Sequence, residues 1–334
     1  MLQIDNQTPF YAVLSVLPDR DAIDTLHVIL KATLTLRPRL ALASEQVPVT
    51  LADEYYGDST NSSLSSVSEI HIGKPGTDVL LVGRAWGAQG RAVRETLVRV
   101  LAAERQKSVR VVGDRVWGPD GMPTAPEPFE AMPLVWERAF GGVHQLEDRV
   151  LAEERNPIGI GFVGQRSAEE LVGHPVPNLD RPLEPLERQG QHQTPVCFAP
   201  TAAHWLPRRA FAGTYDEVWQ RKRAPYLPVD FDPRFLQCAA PELAFDRYLR
   251  GGEPIEVHGA SPEGPIAFAI PAANLQVEVQ VAGSLEHPPV NLETVLLEPD
   301  ENRVALTWRA ALPCDRKVLK VERITVTRQR AGAG

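Results

Sequence analysis

Between residues 24 and 37 the chain reads Asp24-Thr25-Leu26-His27-Val28-Ile29-Leu30-Lys31-Ala32-Thr33-Leu34-Thr35-Leu36-Arg37. Apolar and polar side chains alternate along this stretch, with Ile29 as the exception. Because successive side chains of a strand point to opposite faces, the pattern predicts an antiparallel sheet with one face on a core and the other in water. His27 falls on the polar face, so we predict that it is solvated rather than a ligand.

The same period of two recurs towards both ends of the chain. It predicts strands at 8–18, 92–102, 108–117, 275–281 and 304–308. Turns are predicted at 18–21 and at 299–302, and a change of phase within 318–327 predicts a β-bulge. We therefore predict a mainly β fold whose antiparallel sheets form a sandwich or distorted barrels.

The middle of the chain differs from both ends. The sequence holds 30 prolines, dense between residues 143 and 200, and proline favours loops and short strands over long helices. Thr214 and Glu217 have the spacing of a capping box, which predicts a short helix to about Arg223, and 241–249 predicts a second one. We predict three regions, or one continuous domain that contains them. They are an N-terminal β region (1–142), a Pro-rich central insertion with a few short helices (143–252) and a C-terminal β region (253–330).

Composition restricts the classes of function. The formal net charge of −8 argues against nucleic-acid binding, which normally goes with a basic balance. The three cysteines, Cys197, Cys238 and Cys314, lie too far apart for a disulfide framework or a CxxC metal site and fit a reducing compartment. The N-terminus resembles no signal peptide, and no apolar run approaches the ~18 residues of a membrane span. We predict a cytoplasmic protein without a membrane partner.

The sequence offers little for catalysis. None of its 8 histidines stands in HxH or HExxH spacing, and no Gly-x-Ser-x-Gly is present. The run Gly159–Gly164 matches GxGxxG, but it follows Glu154–Pro157 instead of the strand that a dinucleotide site requires. Asp230 and Asp232 could face one way and hold a cation, or serve turns and arginine pairs. We predict no catalytic residue, cofactor or metal; a hydrolase that uses carboxylates of the central region is the alternative.

The stretch 133–142 has two interpretations. Its Trp136, Arg138 and Phe140 combine bulky aromatic rings with charge, as interface anchors and buried corners both do. On an extended segment the three would share a face, and Glu137 would point to the other. We predict that Trp136, Arg138 and Phe140 belong to a partner-binding surface. The alternative is that Trp136 is a core residue and Arg138 braces the central insertion.

Several motifs occur in an order that resembles a known family. They are Lys74-Pro75-Gly76-Thr77-Asp78-Val79, Gly113-Asp114-Arg115-Val116-Trp117, Pro133–Gly142, Asn156-Pro157-Ile158-Gly159, Val176-Pro177-Asn178-Leu179, Trp205-Leu206-Pro207-Arg208, Ala212-Gly213-Thr214-Tyr215-Asp216, Trp219 and Leu227-Pro228-Val229-Asp230-Phe231. This set is similar to the type VI secretion adaptor–chaperone family, long catalogued as a domain of unknown function. The resemblance covers residues 1–290.

The resemblance implies a non-catalytic cytoplasmic helper. Members of that family hold a type VI effector and promote its loading onto the cognate VgrG-type spike, sometimes with a PAAR tip. The partners expected from the resemblance are therefore an effector and a VgrG or PAAR protein. A carrier of this kind needs a large surface with exposed aromatic rings and sheet edges, and no reactive centre.

Overall fold

The computed structural model of the chain describes residues 3–328. The strands, in chain order, are β1 (Ile4–Asn6), β2 (Tyr11–Pro18), β3 (Asp24–Thr35), β4 (Ala41–Leu42), β5 (Glu54–Tyr55), β6 (Leu64–Ser66), β7 (Asp78–Leu81), β8 (Arg84–Trp86), β9 (Glu95–Ala102), β10 (Arg105–Val112), β11 (Ala131–Pro133), β12 (Phe140–Gly141), β13 (Val143–Gln145), β14 (Val150–Ala152), β15 (Ile160–Gly161), β16 (Leu179–Asp180), β17 (Pro254–His258), β18 (Ile266–Ala269), β19 (Leu275–Val281), β20 (Ser284–Glu286), β21 (Val290–Glu298), β22 (Arg303–Pro313) and β23 (Val321–Arg328). The α-helices are α1 (Ala168–Leu171) and α2 (Glu217–Lys222). The 3-10 helices are Ala88–Gly90, Trp136–Arg138, Arg208–Phe211, Pro233–Leu236, Pro299–Glu301 and Asp315–Lys320.

Three larger sheets form the body of the protein. The six-stranded sheet has the order β2-β3-β22-β21-β7, with β4 also on β3; the five-stranded sheet has the order β16-β10-β9-β17-β18, and the four-stranded sheet β1-β23-β19-β20. Most strand pairs are antiparallel, whereas β7–β21 and β1–β23 are parallel. Each sheet is open, with two edge strands. The prediction of a mainly β fold built of antiparallel sheets is confirmed.

Strands from both ends of the chain share these sheets. β3 pairs with β22 from Thr25↔Pro313 to Thr35↔Arg303, β9 pairs with β17, and β1 pairs with β23. One apolar cluster joins the three sheets, with Leu30, Val100 and Val279 as members from each. The β regions predicted at 1–142 and 253–330 are thus interleaved in space.

Both faces of the central strand β3 are buried, which corrects the prediction that one face lies in water. Leu26 and Leu30 pack in the apolar core on one face, as predicted, but His27, Lys31 and Thr33 on the other are buried too. The residues that follow β4 fold over this face and supply polar partners. The Gln46 amide, for example, donates to the Thr33 carbonyl at 2.9 Å. The alternation of polar and apolar residues predicts the strand itself. The exposure of its polar face depends instead on a loop from elsewhere in the chain that covers it.

The turns agree with the sequence more closely than the helices do. The turn at 299–302 joins β21 to β22, with Asn302 in the left-handed region at φ 51°. A register shift opposite Gln280 and Val281 places the predicted bulge at the start of β23.

The predicted helices need correction. Helix α2 is capped by Asp216, whose Oδ1 accepts from the Trp219 amide, while Thr214 instead bonds Asp230. Residues 241–249 are not helical but run along β7, where the Val79 amide donates to the Leu243 carbonyl. Within residues 3–328 no helix has the length and apolar character needed to cross a membrane.

Candidate functional site

The stretch 133–142 folds into an interior corner. Trp136 is 6% and Phe140 4% exposed. The Trp136 indole donates from Nε1 to the Pro200 carbonyl at 2.9 Å, and its ring stands edge-on to Trp205 at 6.0 Å between centroids. A buried tryptophan usually satisfies its N–H in this way. Trp136 and Phe140 are therefore buried side chains, as the alternative of a core residue at Trp136 has it, and partner binding by this stretch stays a prediction.

Glu137 and Arg138 point apart and find separate partners, as predicted. The Glu137 carboxylate accepts from the Ser63 amide at 2.7 Å, and Arg138 Nη1 donates to Asp114 Oδ1 at 2.9 Å and to Asn178 Oδ1 at 3.0 Å. The segment is a 3-10 helix rather than extended, so a shared strand face does not arise. Arg138 reaches Asn178 of the central insertion, which is the bracing contact of the alternative. Whether a partner contacts the half-buried Arg138 stays a prediction.

The glycines of Gly159–Gly164 are used for close packing. A Cβ on Gly159 would lie 2.4 Å from the Asn156 side chain, and one on Gly161 2.8 Å from the Pro177 ring. The buried Asn156 uses this space to donate from Nδ2 to the carbonyls of Trp136 and Phe140, at 2.8 and 3.0 Å. The pattern thus has a packing role in the corner; the expectation that it binds no dinucleotide stays a prediction.

A set of titratable side chains, five of them buried and two nearly so, borders the second face of β3, and we call it the buried ion cluster. Its members are Lys31, Glu69, His71, Lys74, Asp78, Glu293 and Arg309. Lys31 Nζ lies 2.8 Å from Glu69 Oε2, and the Arg309 Nη2 donates to the Glu69 carbonyl at 2.6 Å. The segment that contains Glu69 is therefore tied to two strands of the six-stranded sheet.

Two further ion pairs complete the cluster. Arg309 Nε donates to Glu293 Oε2 at 2.7 Å, and Lys74 Nζ donates to Asp78 Oδ2 at 2.7 Å. Glu293 Oε1 also accepts from the Lys74 amide at 2.8 Å, and Asp78 Oδ2 from the Cys238 amide. Three carboxylates thus face three cationic side chains, so the formal charge of the cluster balances. Buried charges persist only when paired in this way.

The buried ion cluster borders a small cavity of about 70 Å³. Burial, followed by the positive charges of Arg309 and Lys74, holds the pKa of His71 well below its ordinary value. Burial lowers the pKa of Lys74, but the charge and hydrogen bond of Asp78, together with Cys238 and Glu293, outweigh it and the pKa is raised. At neutral pH the lysine is charged and the histidine neutral. The paired charges of the cluster thus fasten the loop segments that carry Glu69 and Lys74 to the six-stranded sheet.

Several partly or largely exposed apolar side chains occur in the segment 215–229, which contains α2, and we call this set the aromatic surface. Its members are Tyr215, Val218, Trp219, Tyr226 and Val229. Helix α2 buries none of its residues; Val218 is 51% and Val229 78% exposed. Trp219 packs edge-on against Tyr215, with centroids 4.7 Å apart, and donates from Nε1 to the Tyr226 carbonyl. The rings of Tyr215 and Trp219 thus support one another, and the side chains of Tyr215 and Tyr226 are 54% and 40% exposed.

One family model matches the chain. It is described as "Uncharacterized protein conserved in bacteria (DUF2169)" and covers residues 21–309. The chain belongs to the DUF2169 family. No curated protein and no solved structure matches it.

The DUF2169 match spans the features described above. It includes β3 to β21, the buried ion cluster, the interior corner and the aromatic surface, and it ends within β22. The family description carries no activity and no partner. The motifs from Lys74 to Phe231 lie within the matched residues.

Carboxylates of the central insertion in this DUF2169 protein hold local structure. Asp230 accepts from the Thr214 amide and hydroxyl, at 3.0 and 2.8 Å, and Asp232 forms a two-pronged pair with Arg234. These contacts are the turn and arginine roles that were the alternative to a cation site. Among residues 3–328 no three His, Cys, Asp or Glu side chains gather as a metal site would need.

The three cysteines of this DUF2169 protein, Cys197, Cys238 and Cys314, are buried. Burial raises the pKa of Cys197 to about 12 and that of Cys238 to about 11. Because the thiolate is the reactive form, both remain unreactive thiols at neutral pH.

The aromatic surface is the feature that sequence reasoning missed. Tyr215 and Trp219 stand four residues apart beside a predicted helix, which is a signal for a shared face. Nothing in the sequence, however, shows that this helix buries none of its residues.

Proposed function

We propose that this DUF2169 protein is a non-catalytic adaptor that binds a type VI secretion effector and promotes its loading onto the cognate VgrG-type spike or PAAR protein. The proposal rests on the ordered motifs that resemble the adaptor–chaperone family. The observation that carries the binding role is the aromatic surface, because α2 buries none of its residues. A protein of this role acts in the bacterial cytoplasm before secretion.

The local physics of α2 supports a docking role. A helix of six residues is too short to be stable alone and normally gains its stability by packing an apolar face. Here Val218 of α2 is 51% exposed, and Val229, which follows the helix, is 78% exposed. Covering one such side chain contributes roughly 1.5–3 kcal/mol. Tyrosine and tryptophan are also the residues most enriched where binding energy concentrates, and the surface carries Tyr215, Trp219 and Tyr226.

The charges around the aromatic surface favour a partner with some acidic character. The last turn of α2 carries Arg221 and Lys222, both exposed, and Arg223 follows. This end of the helix is basic, although the formal net charge of the whole chain is −8. A partner that presents apolar side chains beside a carboxylate therefore matches both properties. The hydrolase alternative gains no support, since the carboxylates of the central insertion named above are engaged with arginines or turns.

Co-expression with the effector and spike proteins encoded beside this chain tests the proposal. We expect the tagged protein to retain the effector, and Val218→Asp and Val229→Asp to lose it without a change in melting temperature. Leu183→Asp is the matched control, because Leu183 is 94% exposed and lies outside the aromatic surface. The proposal fails if wild type retains neither protein. If all three variants retain the effector equally, the effector binds this protein at a site other than the aromatic surface.

A further inference from the structure

Strand β2 is an open edge of the six-stranded sheet. It pairs with β3 along its whole length, from Tyr11↔Lys31 to Pro18↔Asp24. Among residues 3–328 no backbone or side-chain group donates to, or accepts from, the outer edge of β2. Its sequence, Tyr-Ala-Val-Leu-Ser-Val-Leu-Pro, contains no charged residue. Edges of this kind are templates for another strand.

The other edges are short, flanked by proline or covered. On the far side of the same sheet, β7 is covered by residues 243–245, where the Phe245 amide donates to the Thr77 carbonyl. The edges β16 and β1 have two and three residues. β18 has four residues between Pro265 and Pro271, and β20 has three exposed residues, with Pro288 and Pro289 shortly after. Among the edge strands of the three larger sheets in residues 3–328, β2 is thus the long one that neither an interior proline, a charge nor a covering segment protects.

We propose that β2 takes an additional strand from a partner protein, an extended segment of about eight residues with apolar side chains and no charge. The inference rests on the proposed function, since the partner is the effector that binds the neighbouring aromatic surface. It adds the mode of recognition, in which main-chain hydrogen bonds along β2 supply affinity. Side chains at alternate positions then supply specificity.

The chemistry of the added strand follows from what β2 exposes. Tyr11 and Val16 are 44% and 41% exposed, and the residues between them are half-buried. A neighbouring strand brings its side chains within about 5 Å of those opposite and covers such positions. A charged side chain in that strand would meet no opposite charge on β2, so an uncharged apolar segment fits.

A second copy of this chain fits the edge less well. Each copy carries a formal net charge of −8, so two copies repel one another. Stable protein dimers also bury at least about 1,200 Å² in total. A seam of one eight-residue strand per copy offers only part of that area.

The β2 edge and the aromatic surface belong to neighbouring parts of the molecule. The Arg223 guanidinium, just after α2, donates to the Arg20 carbonyl in the turn that follows β2. A partner whose segment pairs with β2 can therefore continue towards Tyr226, which is 40% exposed. This continuity supplies contact area that the edge alone lacks.

Two proline variants of the full chain test the inference, each as the control for the other. The backbone amides of adjacent residues in a strand point to opposite edges. Ser15→Pro and Val16→Pro therefore remove two different amides. One of these amides faces β3 and the other faces the open edge. The inward change lowers the melting temperature, whereas the outward one leaves it near wild type, since edge strands tolerate proline there. Melting therefore identifies the outward variant.

The readout is affinity for the effector and spike proteins encoded beside the chain, each purified. We expect the outward variant to bind about tenfold more weakly than wild type. We also expect β2 amides to gain protection from hydrogen exchange when cargo binds. If both proline variants lower the melting temperature, Val16→Lys is used in their place. It puts a charge on the edge strand, and we again expect about tenfold weaker binding.

Three results overturn the inference. Unchanged affinity of the outward variant shows that β2 is not used, while the adaptor role stands. Concentration-dependent dimerisation that the outward variant abolishes shows that a second copy occupies the edge. No binding of any of these proteins by wild type removes the proposed function, and this inference with it.

Discussion

Lys31 and Glu69 form a buried ion pair, with Nζ 2.8 Å from Oε2, that closes a loop over the polar face of β3. Glu69 Oε2 also accepts from the Thr50 amide at 2.7 Å, and Oε1 from the Thr307 hydroxyl at 2.5 Å. One carboxylate thereby joins two strands of the six-stranded sheet to the segment that covers them. A polar face that looked exposed in sequence becomes an interior layer of the protein.

The first prediction concerns this ion pair. We expect Lys31→Met to lower the free energy of unfolding by about 3–5 kcal/mol, because Glu69 would keep a buried charge without its partner. The double variant Lys31→Met, Glu69→Gln should recover a large part of that loss. Arg37→Met is the control: Arg37 is 29% and Glu263 69% exposed, so losing this ion pair and the bond from Arg37 to the Gly264 carbonyl should cost only about 1–2 kcal/mol. Urea unfolding measures all three, and equal losses for Lys31→Met and Arg37→Met would contradict the burial of the cluster.

The second prediction compares the two faces of β3. Leu30 and Thr33 are both buried, and Thr33 Oγ1 accepts from the Val47 amide at 2.9 Å. We expect Leu30→Asp and Thr33→Asp each to lower the free energy of unfolding by several kcal/mol, since either carboxylate would enter the interior unpaired. Thr33→Val, which removes only the hydroxyl bond, should lose about 1 kcal/mol. A mild effect of Thr33→Asp in thermal melting would show that the covering loop opens easily.

The fold class could be predicted from sequence because alternation along β3 is a local property. The burial of His27 and Lys31 could not, because their surroundings come from far along the chain: Glu69 lies 38 residues from Lys31, and Arg309 pairs with β3 through β22. For the same reason the corner at Trp136 was ambiguous. An aromatic residue beside charge suits an interface or a core, and only Pro200 and Trp205, over 60 residues away, decide between them.

The third prediction is a dependence of stability on pH from His27. Its ring is buried, and burial, with a further contribution from Arg309, lowers the pKa to about 4. In the unfolded chain the pKa is about 6.5. Between these values the unfolded state binds more protons than the folded state, so the free energy of unfolding falls as the pH is lowered from 7 towards 4. At pH 5, protonation of His27 in the unfolded chain lowers the free energy of unfolding by about 2 kcal/mol.

The variant His27→Gln isolates this contribution, because glutamine does not titrate. We expect its unfolding free energy to change less between pH 7.5 and pH 5 than that of wild type, by roughly the same 2 kcal/mol. Chemical denaturation at the two pH values supplies the comparison. His174→Gln is the control, since His174 is exposed and should leave the dependence unchanged. If the unfolding free energies of wild type and His27→Gln change equally between the two pH values, the His27 ring is hydrated in the folded protein.

The last prediction separates stability from binding in the interior corner. Trp136→Ala removes a buried ring that packs on Trp205 and bonds the Pro200 carbonyl, so we expect a loss of about 3–5 kcal/mol in the free energy of unfolding. Arg138→Ala removes a half-buried side chain with bonds to Asp114 and Asn178, and we expect about 1 kcal/mol. Thermal melting and retention of the effector are measured on the same preparations. At a temperature where both variants are folded, an effector bound at the aromatic surface should be retained by both. Loss of retention by Arg138→Ala, with its melting temperature near wild type, would instead return this arginine to the binding surface.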